Sequence, residues 1–217
     1  MDNQAGARQP YRIITPPSAA TMACKRVFDI LCSFFGLVVL SPVLLVVSVL
    51  VAVTSPGGVF FRQERIGKDG RPFRIFKFRS MRKDNAGLKI TTGNDSRITP
   101  VGRFLRKSKI DELPQLINVL VGDMSFVGPR PEVADYVDLY TPYQRQVLLV
   151  RPGITGLASI RFRNENDLLT ASDDPNRTYV EQIMPRKIDL DLEYIPHASV
   201  FYDIKLIFQT FAVVVKE

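Results

Sequence analysis

Residues 30–61 contain no charged side chain, the longest such run in the chain. An apolar stretch of this length suits a segment that enters a lipid bilayer. Ser41-Pro42 falls inside it, and proline both removes a helix hydrogen bond and crowds the turn before it. As helices, residues 27–40 would rise about 21 Å and residues 43–53 about 16 Å, at ~1.5 Å per residue, against a hydrocarbon core of ~30 Å. Neither half crosses alone. Lys25 and Arg26 precede the run, and Arg62, Arg65, Lys68 and Arg71 follow it. Because positive flanks stay on the cytoplasmic side, residues 24–55 are expected to dip into the membrane and return, as a re-entrant helix-break-helix hinged at Ser41 and Pro42. A kinked span with its N-terminus outside is the alternative. Either way, a carbonyl near Val38 loses its partner at apolar depth, and Ser41 is the nearest donor.

Beyond the run the period changes. Residues 59–66 and 73–79 alternate between apolar and polar, with Gly67-Lys68-Asp69-Gly70 as a turn between them, which predicts a β-hairpin. Leu113, Leu116, Ile117 and Leu120 recur at helical spacing. That helix is expected to start near Asp111, with Pro114 in its first turn and Gly122 as its stop. Residues 136–150 have a helical pattern and residues 151–157 read as a turn into a strand. Residues 84–100 are polar, an exposed loop and a candidate lid. The sum is an α/β, mainly helical fold, small and irregular. It comprises a flexible leader over 1–23, the membrane element over 24–55, and one further domain over 56–217.

Composition narrows the partners without choosing one. A net charge of +7 and a pI near 9.5 point to an anion, which could be nucleic acid, phospholipid or a nucleotide. Cys24 and Cys32 are the only cysteines, so no disulfide framework is expected. Cys–His metal spacing, a glycine-rich phosphate loop and a Ser-His-Asp arrangement are all missing from the sequence, and the lone His197 reads as a loop residue. The chemistry concentrates instead at Asp111-Glu112. Arg103, Arg106, Lys107 and Lys109 precede this acidic pair, and Gly128-Pro129-Arg130-Pro131-Glu132 follows. Two carboxylates in a basic frame suit a phosphate ester: one can attack phosphorus while the other holds Mg²⁺. The plainer reading is an N-cap and a first-turn acid. Arg130, fixed between two prolines, is well presented to bind phosphate oxygens in pairs. Asp123 and Glu132 are either supporting partners or surface charges.

The run Lys77-Phe78-Arg79-Ser80-Met81, the motif over residues 106–132, and Arg151-Pro152-Gly153-Ile154-Thr155-Gly156 strongly resemble the bacterial sugar transferase family, the monotopic phosphoglycosyl transferases. The resemblance implies transfer of a sugar phosphate from a UDP-sugar to polyprenyl phosphate, with release of UMP, at the cytoplasmic face of a bacterial inner membrane. It implies Asp111 as nucleophile, Glu112 as Mg²⁺ ligand, and Arg130, Arg106, Lys77 and Arg79 as charges facing phosphate. Contact with membrane phospholipid and helices lying along the bilayer surface go with it, and a homodimer is left open. Nucleic acid is not an expected partner. Ala158-Ser159-Ile160-Arg161-Phe162-Arg163 departs from the tryptophan-containing version common in the family, and the chain has no Trp. A non-enzymatic basic module at the membrane surface is the competing class, and a Mg²⁺-dependent phosphatase is a third.

Overall fold

In the computed structural model, which describes residues 12–55, 57–82 and 95–214, the uncharged run belongs to a single helix, α1 (Ala19–Thr54). Helical backbone continues through Pro42. The expected break is therefore corrected to a proline inside one helix. The physical reason is local: Pro42 has no N–H for the Val38 carbonyl, and Ser41 Oγ donates to that carbonyl instead, at 2.7 Å. Residues 19–23, expected in the leader, already belong to α1. Ser18 caps α1, and Ile14 is buried in the main core with its N–H donating to Gln146 Oε1 at 2.7 Å.

At ~1.5 Å per residue α1 is about 54 Å long. Most of its apolar side chains face outward, Val39 and Val53 being 73% and 81% exposed. Its buried residues fall into two groups, Lys25, Asp29 and Ser33 on one arm and Val47 and Val51 on the other. Ser41 and Pro42, between the arms, are exposed. The first arm lies against α3 (Gln115–Val121), β3 (Ser125–Val127) and α9 (Val200–Val214). The second packs on Phe78 and Leu105, which belong to β2 (Pro72–Phe78) and α2 (Pro100–Lys107). Both arms thus rest on one body.

The hairpin is as predicted. β1 (Phe60–Ile66) pairs antiparallel with β2, from Phe60 opposite Phe78 to Ile66 opposite Pro72. Asp69 (φ 57°) and Gly70 (φ 74°) make the reversal. After α2 the chain turns at Lys109, also at φ 57°, into a 3₁₀ turn over Ile110–Glu112. Here the expected helix start is corrected: α3 begins only at Gln115, and Asp111 and Glu112 sit in the turn ahead of it. Pro114 cannot donate to the Ile110 carbonyl, which closes an i→i+3 turn with the Leu113 N–H at 3.2 Å. Gly122 ends α3 at φ 101°.

β3 runs parallel to β4 (Gly153–Thr155). The strand expected after Gly156 is thus inside the motif itself, and α5 (Leu157–Arg161) starts directly afterwards. Residues 136–150 are not one helix. A short α4 (Ala134–Val137) and a 3₁₀ stretch (Gln144–Leu149) flank Thr141-Pro142, where proline disfavours helix in the residue before it. Short helices α6 (Glu165–Thr170) and α7 (Pro175–Thr178) lead through a π-helical turn (Tyr179–Ile183) to α8 (Met184–Tyr194) and α9. The fold is mainly helical with two small sheets among the described residues, and its core joins Val127, Ile188, Leu192, Ile195 and Leu206. The candidate lid lies outside the described residues as far as residue 94.

A buried ammonium fixes the first arm of α1. Lys25 Nζ donates to Ser125 Oγ at 2.5 Å and to the Val127 carbonyl at 3.0 Å, and pairs with Asp203 of α9. Tyr194 donates to the other Asp203 oxygen at 2.6 Å. Breaking a buried pair from one side strands the remaining charge. Lys25→Met is expected to destabilise the fold by about 3–5 kcal/mol, seen as a lower thermal midpoint in detergent, with Lys25→Met/Asp203→Asn recovering part. A single variant melting with the parent would show that α1 is held by packing alone.

Candidate active site

Three segments distant in sequence converge on the acidic pair. The first is β2, which carries Lys77. Asn118 of α3 docks on its free edge, with Oδ1 accepting from the Phe76 N–H and Nδ2 donating to the Arg74 carbonyl, both at 2.9 Å. That contact sets the 3₁₀ turn, the second segment, beside Lys77, whose Nζ donates to Glu112 Oε1 at 2.8 Å.

The third segment is residues 128–132, held main chain to main chain against residues 151–156. The Gly128 N–H donates to the Thr155 carbonyl at 3.0 Å, and the Gly153 N–H to the Pro129 carbonyl at 2.9 Å. A Cβ on Gly153 would lie 2.1 Å from Gly128 N, and one on Gly156 would lie 2.4 Å from Gly128 O, so only hydrogen fits between these chains. Arg130 emerges from this rigid base, and its Nη2 donates to the same Glu112 Oε1 at 2.8 Å.

The two acids end up electrostatically opposite. Burial pushes the Glu112 carboxyl up, but the charges and hydrogen bonds of Arg130 and Lys77 outweigh it and hold the group well below the usual range. Glu112 in turn raises Arg130, whereas burial lowers Lys77 despite Glu112. Asp111 is 8% exposed, and its Oδ1 has no hydrogen-bond partner among the described residues. Burial first, and the Glu112 charge second, push its carboxyl up to about 6, against the pull of Lys77, Arg106 and Lys109. The pair therefore combines a fixed anion with a desolvated carboxylate of unsatisfied lone pairs. Such a group is suited to bond an electrophile when cations mask its charge.

Lys77, Asp111, Glu112 and Arg130 of the expected site are brought together. Arg106 makes no hydrogen bond to the pair among the described residues, and acts on Asp111 through its charge. Arg79 is directed elsewhere: its Nε donates to the Gly58 carbonyl at 2.9 Å and its Nη2 to the Phe60 carbonyl at 3.4 Å. β2 ends at Phe78, so Arg79 leaves the alternation that aims Lys77. Ser41 and Pro42 remain within α1. Asp123 accepts from Asn118 Nδ2 at 3.2 Å. Glu132 does support an arginine, accepting from Arg65 and from the Tyr179 hydroxyl. Sequence reasoning missed Glu165 and Lys187, paired at 2.7 Å, with the Glu165 charge bearing on Arg130. It also missed the buried Asp191, which burial raises to about 8 against the opposing Lys187. No periodicity or motif marked Glu165 or Lys187.

No cluster of three or more His, Cys, Asp or Glu side chains able to hold a metal occurs among the described residues. Mg²⁺ needs less, since it commonly keeps its waters and takes one or two carboxylates plus substrate phosphates. Glu112 Oε1 is taken by two cations, but Oε2 accepts no hydrogen bond among the described residues. The donor set fits a metal shared with a bound phosphate.

Residues 20–217 match the sequence profile of the family described as bacterial sugar transferase. The chain belongs to the bacterial sugar transferase family. It is 42% identical over 202 residues to the UDP-glucose:undecaprenyl-phosphate glucose-1-phosphate transferase of Escherichia coli (strain K12), covering 90% of this chain and 41% of that protein. The UDP-N-acetylgalactosamine-undecaprenyl-phosphate N-acetylgalactosaminephosphotransferase of Aeromonas hydrophila is 39% identical over 199 residues, 89% of this chain and 44% of the relative. The exopolysaccharide production protein PSS of Rhizobium leguminosarum bv. phaseoli is 40% identical over 199 residues, 87% of this chain and 94% of the relative. The chain thus spans less than half the length of the first two.

Asp111 also predicts a stability effect. The folded chain holds its proton more tightly than the unfolded chain, for which the value is ~3.9. Stability is therefore lost as pH rises from there through about 6, and stays lost at neutral pH. Asp111→Asn is expected to melt above the parent at neutral pH, the advantage vanishing near ~pH 4. An Asn variant melting at or below the parent at neutral pH would contradict the burial-driven shift.

Proposed function

We propose that this chain transfers a sugar phosphate from a UDP-sugar to polyprenyl phosphate, releasing UMP and initiating assembly of a glycan. The observation that carries the reading is the pairing of a desolvated, unpartnered carboxylate at Asp111 with a Glu112 locked between Lys77 and Arg130. The family membership supports it, as do relatives whose names state transfer from UDP-glucose or UDP-N-acetylgalactosamine to undecaprenyl phosphate.

In the first half-reaction an Asp111 carboxylate oxygen attacks the sugar-bearing phosphorus. A P–O bond to Asp111 forms, the P–O bond to the bridging oxygen breaks, and its electron pair leaves with UMP. No proton need be removed from ionised Asp111. In the second half-reaction a phosphate oxygen of the lipid acceptor attacks the same phosphorus, and the carboxylate departs as the leaving group. Arg130, Lys77 and Arg106 offset the repulsion between a carboxylate and a diphosphate and stabilise charge as UMP leaves. Glu112 would hold Mg²⁺ through its free oxygen, and a bound Mg²⁺ would neutralise phosphate charge. Splitting the transfer in two lets a soluble donor and a lipid acceptor use one site in turn.

The membrane reading belongs to the same proposal: residues 24–55 are a re-entrant anchor that bends at Pro42 with its helix unbroken, residues 56–217 are the catalytic domain, and the active site faces the cytoplasm at a bacterial inner membrane. It is supported by positive charge on both flanks of the apolar run and by the rest of both α1 arms on one body, with an exposed proline between them.

Incubation with a UDP-sugar alone is expected to release about one equivalent of UMP and leave a phosphosugar on Asp111, with Asp111→Asn releasing none. The rate of this step should rise with pH through about 6, as Asp111 ionises. UMP release that requires the lipid acceptor to be present would point to direct transfer in a ternary complex. Tags on the two termini should react from the same side of the membrane, and labelling from opposite sides would refute the re-entrant anchor.

A further inference from the structure

The two residues after Arg130 are gripped from behind. The Pro131 carbonyl accepts from Arg65 Nη1 at 3.1 Å, and the same nitrogen lies 3.4 Å from Glu132 Oε2. The Glu132 carbonyl accepts from the Ile66 N–H at 2.8 Å. The other Glu132 carboxylate oxygen accepts from the Tyr179 hydroxyl. Tyr179 opens the π-helical turn Tyr179–Ile183, a feature that gives up regular helix geometry and recurs at functional positions. Its ring packs on Tyr136 at 5.1 Å between centroids, and Lys187 Nζ stands 5.2 Å over it. Lys187 is the partner of Glu165, whose charge reaches Arg130. Tyr179 is therefore linked to Arg130 by two routes, one through Glu132 and the Pro131 main chain, the other through Lys187 and Glu165. None of Tyr179, Glu132 and Arg65 hydrogen-bonds Asp111 or Glu112 among the described residues.

We propose that Tyr179, Glu132 and Arg65 form a clamp that fixes the direction of the Arg130 guanidinium, so that it meets Glu112 and the donor diphosphate together. These are positioning residues. The inference rests on the proposed function only in taking a diphosphate as the ligand of Arg130. Tyr179→Phe keeps the ring and its packing, and removes only the hydroxyl from Glu132. With that oxygen unpaired, the Pro131-Glu132 segment can relax and Arg130 loses its preset aim.

The test is a double-variant cycle on the full chain in detergent, with UDP and Mg²⁺ as the binding probe and thermal melting as the control. Tyr179→Phe and Glu132→Gln should each melt below the parent yet remain folded at the assay temperature, and should weaken UDP binding about tenfold. Glu132→Asp should restore part of it. In an Arg130→Lys background the same changes should have no further effect, because the clamp acts through Arg130. Losses that multiply with Arg130→Lys, or that appear only in melting, would overturn the clamp and leave a purely structural tether. Binding of UDP without turnover of any UDP-sugar would sink the functional reading while leaving the clamp supported by the cycle. A parent that binds neither UDP nor pyrophosphate removes the ligand and overturns both.

Discussion

One oxygen atom organises this molecule. Glu112 Oε1 accepts from Lys77 and Arg130, each at 2.8 Å. The three residues come from a hairpin strand, a 3₁₀ turn and a proline-flanked loop. Two cations on one carboxylate neutralise it in a poorly solvated place, where a lone charge would be expensive. The adjacent Asp111 has no such help. Raising its carboxyl to about 6 corresponds to roughly 3 kcal/mol of unfavourable ionisation. The asymmetry is what makes two neighbouring acids chemically different: one is satisfied and stays put, while the other gains by bonding something else.

That arrangement depends on backbone contact as much as on charge. Gly128, Gly153 and Gly156 let two loops approach more closely than any side chain allows, and the parallel pairing of β3 and β4 is the visible trace of this approach. The sequences around Arg130 and around residues 151–156 are two halves of one device, and the second half never touches the acidic pair through a hydrogen bond. Asn118 performs the matching task on the other side, occupying the edge of β2 as a further strand would.

Much of this was legible in the sequence because the signals were local. The apolar run, the hairpin with its Gly67-Lys68-Asp69-Gly70 turn, the helix stop at Gly122 and the Ser41 bond to the Val38 carbonyl each depend on residues a few positions apart. What failed was also physical. The helix start was placed near Asp111 because the apolar spacing and a first-turn Pro114 were read without asking which N–H the Ile110 carbonyl would use. Arg79 was grouped with Lys77 on the strength of the family resemblance, although the strand stops between them and Arg79 turns to the Gly58 and Phe60 carbonyls. Strands of three residues are too short to show a period, and Thr141-Pro142 divides a stretch whose hydrophobic spacing alone looks helical. Tyr179, Glu165, Lys187 and Asp191 meet the site only through tertiary contact. No single-sequence rule could have gathered them.

The anchoring of α1 at both arms has a further consequence. A helix fixed at one end adjusts its tilt to the thickness of the surrounding lipid. Here Lys25 and Asp29 bind one arm to β3 and α9, and Val47 and Val51 seat the other on β2 and α2. In the proposed membrane placement, the height of the carboxylates above the lipid tails would be dictated by internal geometry, as a ship's waterline is dictated by its hull. Thicker or thinner bilayers would then have to accommodate the protein, rather than the reverse.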